Sequence, residues 1–430
     1  MKYNGFIIEK TGQVDAFGFP VLTKRPDPES AASPEPAPRD PAEFAAAKLA
    51  LEAATGGKNT LILDDLGLPS VMVRVPAFLW SDVIDGAPKE LCTAFIVGGK
   101  PVAELWVSKF MNVVEHGRAY SLPAREPAHT LTIEEARQAC SRKGRGWHLF
   151  SNAEWMAIAL WCRKNDTIPH GNTRYCADLF APHETATGAV SELYERDLVD
   201  APRPGPETPE RSLGGTSPAS WSHDGTDAGI FDLNGNVWDF LAGFRILDGE
   251  IQVIPNNDSA LCIDESTNST AWRAILPSGE LVAPGTPGTY KYDGIQPGRT
   301  DSENAPVGPA RLNTTIEYPN YSGGAADQKH MAWAFGPWET MPVAEGLELP
   351  FILKALGIVA PSPEIGREIS GGADNPQLYF IRNYGERMCA RGASWIGGDG
   401  FWYLYLRETR EFIYPDIGFR AAWVDLDAIS

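Results

Sequence analysis

Cysteine and histidine are the residues most able to do catalytic or metal chemistry, and their placement argues against both. The six cysteines (Cys92, Cys140, Cys162, Cys176, Cys262, Cys389) contain no Cys-x-x-Cys pair, so neither a zinc cluster nor a dense disulfide scaffold is expected. Most should be buried reduced thiols. The seven histidines (His116, His129, His148, His170, His183, His223, His330) show no H-x-x-x-H or similar paired spacing. The densest chemistry lies near the C-terminus, where residues 396–416 hold six aromatic side chains. Along Trp402–Arg407, strand alternation sends Leu404 and Leu406 to one face and Tyr403, Tyr405 and Arg407 to the other. If the leucines fill the core, a Tyr/Arg face is exposed. Those residue types dominate binding hot spots, and the neighbouring glycines supply adaptable loops.

The elements that must position this segment are those of an α+β protein. Short β-like runs at 61–63, 71–75, 93–97 and 104–110 precede two helices with capping boxes, Thr132 with Glu135 and Ser151 with Glu154. The order is mixed rather than regularly alternating, which argues against a parallel α/β sheet. Upstream, Phe6–Ile8 and Phe17–Phe19 could pair as strands, and an Ala-rich helix from Phe44 to Ala54 stops at Gly56-Gly57. The organisation expected is an attachment or assembly segment at 1–24, a Pro/Ala-rich linker and short helix at 25–57, and one domain at 58–430. Stretches 187–215 and 256–329 read as long irregular loops.

Composition narrows the function classes. The chain carries 37 Lys+Arg against 56 Asp+Glu, a formal charge of −19, which disfavours nucleic acid and anionic membranes as partners. No N-terminal apolar stretch has signal-peptide length and no run of about 18 apolar residues occurs, so neither export nor membrane insertion is expected from the sequence.

Four segments, in order, carry a resemblance. His148-Leu-Phe-Ser-Asn-Ala-Glu-Trp155 is similar to R-L-P-T-E-A-E-W, Pro169-His-Gly-Asn172 to P-W-G-N, and Gly229-Ile-Phe-Asp-Leu-Asn-Gly-Asn-Val-Trp-Asp-Phe240 to G-L-Y-D-M-A-G-N-V-W-E-W. Arg391-Gly-Ala-Ser-Trp395 with Ile417-Gly-Phe-Arg420 is similar to the closing R-G-G-S-W and I-G-F-R. The chain thereby resembles the formylglycine-generating-enzyme (sulfatase-modifying-factor) family over roughly residues 90–423. The resemblance implies a C-type-lectin-like fold with long irregular insertions, here about 241–385, and a variable ligand-binding region at about 391–423. It also implies a calcium-binding turn, whose oxygens map to Asp232, the backbone at Gly235 and Val237, and Asp239; two carboxylates around a glycine turn suit a hard cation. Calcium would be structural, and no cofactor is required.

The generating enzymes hold copper with two cysteines, and those positions are Gly397 and Trp402 here. The resemblance is therefore to a non-enzymatic branch. Sugar binding through calcium would call for E-P-N, Q-P-D or W-N-D, and none occurs. Asn383-Tyr-Gly-Glu-Arg387 and the Trp395 to Trp423 frame resemble the variable proteins of diversity-generating retroelements in phages and bacteria. That likeness points to Ile396, Gly397, Asp399, Tyr405, Arg407, Glu408, Phe412, Tyr414, Pro415 and Asp416 as diversified positions; Tyr403, by alternation, and Trp402 complete the candidate ligand-binding set, although neither Trp402 nor Glu408 can arise from an Asn codon by adenine-directed change alone. A departure is that no asparagine remains in the segment. The expectation is a receptor-binding protein of a phage tail tip or bacterial surface, made in the cytoplasm and assembled from there. Its partner would be a cell-surface protein or glycan, with trimer or virion assembly through the N-terminal region. The rivals are a copper-dependent oxidase of the generating-enzyme type with unrecognised ligands, and a structural virion protein.

Overall fold

A computed structural model describes residues 2–3, 6–14, 20–26, 41–186, 188–189, 210–323, 330–369 and 375–429. The architecture is mixed α+β, built from several sheets and short helices. A five-stranded antiparallel sheet runs in the order Trp147–Leu149, Ala421–Trp423, Glu104–Ser108, Pro69–Pro76, Asn59–Leu63. A larger, eleven-stranded sheet contains, in neighbouring order, Trp238–Leu247, Glu386–Arg391, Leu404–Leu406, Leu378–Ile381 and, at its edge, Ala334–Pro337. Leu404–Leu406 lies parallel to Leu378–Ile381 and antiparallel to Glu386–Arg391, so the closing segment enters the sheet between two strands.

The helices form where the local signals place them. Thr132 Oγ1 accepts the Glu135 amide while Glu135 returns a carboxylate to the Thr132 amide, starting the helix Ile133–Ser141. Ser151 and Glu154 repeat the arrangement at Asn152–Lys164. The helix Pro41–Ala54 ends on the left-handed Gly56 and Gly57, whose amide bonds back to Glu52 O.

Four sequence expectations change or fall outside view. Thr93–Phe95 is a 3-10 turn, with strand confined to Ile96–Val97. The 256–329 stretch is not simply loop: Arg273–Ile275, Leu281–Val282, Lys291–Gly294 and Ala310–Asn313 all join the larger sheet. Its Gly-rich turns punctuate strands short enough to hide the period, and Trp272, Tyr290, Tyr292 and Leu312 anchor them in the interior. Phe6–Val14 pairs with Pro20–Pro26 rather than with residues 17–19, which lie outside the described residues. So do residues 27–40 of the linker and 190–209 of the first expected loop.

Two apolar clusters meet the larger sheet. One contains Phe95, Trp155, Phe244, Tyr292, Ile381, Trp402, Leu404 and Leu406. The other contains Trp147, Trp238, Phe240, Phe380, Trp395, Tyr403, Tyr405, Phe412, Tyr414 and Phe419. No helix among the described residues is long and apolar enough to cross a membrane.

Candidate recognition site

Two buried arginines bracket the closing segment. Arg391 donates from Nε to Asn152 Oδ1 at 2.9 Å and from Nη2 to Gly357 O at 2.8 Å, tying the strand end to the second capped helix. Arg420 donates from Nε to the Asp239 carboxylate at 3.0 and 3.3 Å, and to the carbonyls of Phe231 (3.0 Å) and Asp232 (2.9 Å). Between them the chain is closed on itself, because Ser394 Oγ donates to Asp416 Oδ2 at 3.1 Å and Trp238 N donates to Asp416 O at 2.8 Å. Gly392 is required here: its φ is +89° and a Cβ would stand 2.6 Å from Leu233 O.

The alternation expected at 402–407 is present, but its exposure is not. Leu404 and Leu406 face the first cluster, and Tyr403 and Tyr405 face the second. That second face carries its own aromatic layer: Tyr405 lies 5.0 Å from Trp238 and 5.7 Å from Phe380, and Tyr403 lies 6.1 and 5.9 Å from the same rings. The expectation of an open Tyr/Arg face is therefore corrected. Trp402 is enclosed by Trp155 and Trp338 on the opposite side. Phe412 and Tyr414 stack at 5.5 Å and are buried, as are Asp399, Pro415 and Asp416. Only Ile396 and Gly397 of the twelve candidates are partly exposed. The positions corresponding to the enzymes' thiols thus differ in setting, Gly397 on the rim and Trp402 in the interior.

Burial is graded across the sheet. On the aromatic face, Trp238, Trp333, Phe380, Tyr403, Tyr405, Phe412 and Tyr414 retain 5–7% exposure, while Tyr379, Ile381, Leu404 and Leu406 on the other face have none. The first group is a buried aromatic floor, slightly less enclosed than the opposite face. Register makes it continuous, since Phe335 stands opposite Phe380 and Phe380 opposite Tyr405. Phe335, at 39%, is the open end. Phe335 and Phe380 adjoin the candidate segment and were not singled out in the sequence; the period-two Trp333-Ala-Phe335 and the run Leu378–Ile381 were the available signals.

Charge under the floor is organised rather than free. Glu408 accepts from Arg382 Nη1, Arg407 Nε and Tyr405 Oη, each at 3.0 Å, and its Oε2 is 3.3 Å from His330 Nδ1. Burial alone would raise its carboxyl, but Arg382, His330 and Arg407 outweigh that and hold it well below the usual range. The Arg407 guanidinium lies 4.8 Å from the Trp333 ring centre and 5.3 Å from that of Tyr405. Asp399 differs: burial pushes it up to about 7, and a 2.6 Å bond from Asn234 Nδ2 offsets this only in part.

The calcium expectation meets a competing cation. Both Asp239 oxygens are engaged by Arg420, and burial pushes Asp232 and Asp239 up to about 6 despite that arginine. Asp232 Oδ2 is buried without a hydrogen-bond partner. With a guanidinium on Asp239, the oxygens left of the expected set are those of Asp232 and the backbone at Gly235 and Val237. Among the described residues no three His, Cys, Asp or Glu side chains converge as a metal site. His148 is structural, sharing Glu154 with Asn257, and His170 pairs with Glu184 at 2.9 Å. Five of the cysteines are buried thiols and Cys262 is exposed.

No protein-family model matches the chain, and no curated protein is significantly similar to it.

Proposed function

We propose that the chain is a non-enzymatic ligand-binding protein of the C-type-lectin-like, formylglycine-generating-enzyme type. Its recognition surface is the 396–416 segment with the adjoining edge at Phe335 and Phe380, diversified by a retroelement. It acts at a phage tail tip or bacterial surface, toward a cell-surface protein or glycan, with residues 1–57 serving attachment. The observation that carries this reading is the pairing of a fixed frame with a graded aromatic floor. The Arg391 and Arg420 networks and the Ser394–Asp416 bond hold the segment's ends, while Tyr403, Tyr405, Phe412 and Tyr414 between them keep 5–7% exposure and the turn at Ile396 and Gly397 is partly exposed. Such a surface can change side chains while keeping its backbone.

The test is binding of fluorescently labelled full-length chain to a panel of bacterial cells, by flow cytometry. The wild-type chain should label a subset of strains. Phe335→Ala combined with Ile396→Ala should cut that labelling at least about tenfold, a loss on the scale of one hot-spot contact, while the chain stays folded. Labelling unaffected by both changes, or stoichiometric copper with turnover of a cysteine peptide, would overturn the proposal.

A further inference from the structure

Away from the closing segment, a cavity of about 460 Å³ opens between the turn after the first helix, the strand Pro69–Pro76 and the helix Asn152–Lys164. Its size falls in the range of small-molecule sites. Val75, Phe78, Ile158 and Trp161 supply an apolar wall, and Gly56 and Gly57 leave the mouth free of side chains.

The polar groups at its end are Lys58, His223 and Asp224. Lys58 Nζ is half-exposed and gives one bond to Asp224 Oδ2 at 2.8 Å, leaving further N–H groups toward solvent. Asp224 is already satisfied, since its Oδ1 accepts from Thr226 N, Thr226 Oγ1 and Ser222 Oγ. His223 packs 5.5 Å from the Trp161 ring and its Nδ1 accepts the Ile230 amide at 2.8 Å, which places the proton of the neutral ring on Nε2. Burial pushes this imidazole down to about 4, so it stays neutral at pH 7. Among the described residues no acceptor takes the Nε2 proton.

We infer that this cavity binds a small molecule with a flat apolar body and a carboxylate, the body against Trp161 and Phe78 and the carboxylate on Lys58 and His223. An apolar wall ending in donors whose nearest acceptor is saturated selects an anionic acceptor over an amine. The site is separate from the recognition surface, and the inference stands independently of the function proposed above.

The test is isothermal titration of the full chain with 2-naphthylacetate and its neutral analogue 2-naphthylacetamide. The acid should bind once per chain and the amide at least about tenfold more weakly, the equivalent of one charge-assisted bond. Lys58→Met, at a half-exposed position, should reduce the acid to the level of the amide. Ala77→Phe, which fills the cavity, should abolish both. No binding of the acid to the wild-type chain, equal affinity for acid and amide, or binding that survives Lys58→Met unchanged would each overturn the inference; should Ala77→Phe not fold, the Lys58→Met comparison decides alone.

Discussion

Arg420→Met should destabilise the chain by about 3–5 kcal/mol at pH 8, the cost of removing one partner from a buried ion pair. Methionine keeps most of the arginine's length, so the loss is chiefly electrostatic. The Asp239 carboxylate loses its bonds at 3.0 and 3.3 Å, and the carbonyls of Phe231 and Asp232 lose a donor each. The pH dependence follows from the same geometry. Asp239 already has its folded-state pKa raised to about 6. A carboxyl so raised contributes stability below its unfolded pKa and loses it as pH rises through the folded value. Without Arg420 the folded value climbs further, so the gap between variant and wild type should widen from pH 5 to pH 8. Urea unfolding followed by tryptophan fluorescence measures both. Arg420→Met with Asp239→Leu should recover much of the loss, because an apolar replacement of both partners leaves no buried charge. A single variant within about 1 kcal/mol of wild type at pH 8, or a double variant no better than the single, would refute the reasoning.

Other outcomes follow from individual contacts. Tyr405→Ala, which removes a buried ring and its bond to Glu408, should cost about 3–5 kcal/mol, whereas Phe335→Ala at the open end should cost about 1–2, as read by urea midpoints. Because burial raises Asp399 to about 7, wild-type stability relative to Asp399→Asn should fall as pH rises from about 4 to 7; a flat difference would show that the carboxyl titrates normally. Ser151→Ala removes both a helix cap and the bond to Asn257 Oδ1 at 2.7 Å, and should lower stability by about 1–2 kcal/mol in the same assay. Cys262 should react with a maleimide in the native chain while Cys92, Cys140, Cys162, Cys176 and Cys389 react only after denaturation, scored by intact mass.

What was legible in the sequence was local. The capping boxes at Thr132 and Ser151 are closed within a few residues, so their spacing alone places two helices. Alternation along 402–407 is local as well, and it separates Leu404 and Leu406 from Tyr403 and Tyr405 correctly. What covers each face is not local. Trp238 and Phe380 arrive from other strands, and their presence turns an expected open face into a nearly closed floor. The Asp232 and Asp239 pair shows the same limit: two carboxylates around a glycine suit calcium on their own, but the cation on Asp239 is an arginine 181 residues along the chain. Lys291–Gly294 escaped notice because Lys, Asp and Gly read as loop, although Tyr292 buries its ring and donates to Ile358 O at 2.8 Å.

The graded floor also limits how such a surface could vary. A side chain that fills the layer against Trp238 and Phe380 contributes to stability as well as to recognition, so its replacements must keep volume, and a buried charge there needs a partner as Glu408 has Arg382 and Arg407. Ile396 on the partly exposed turn, and Glu411 further along the segment, carry no such requirement, whereas a Cβ at Gly397 would stand 3.2 Å from Ser394 N. If the segment is diversified, substitutions should therefore be chemically broad at Ile396 and conservative in volume at Tyr403, Tyr405, Phe412 and Tyr414. The frame makes this division workable: the two buried arginines and the bond from Trp238 N to Asp416 O close the segment without using a side chain of 396–416. Asp416 is the exception among the expected variable positions, because its carboxylate accepts from Ser394 and so belongs to the frame.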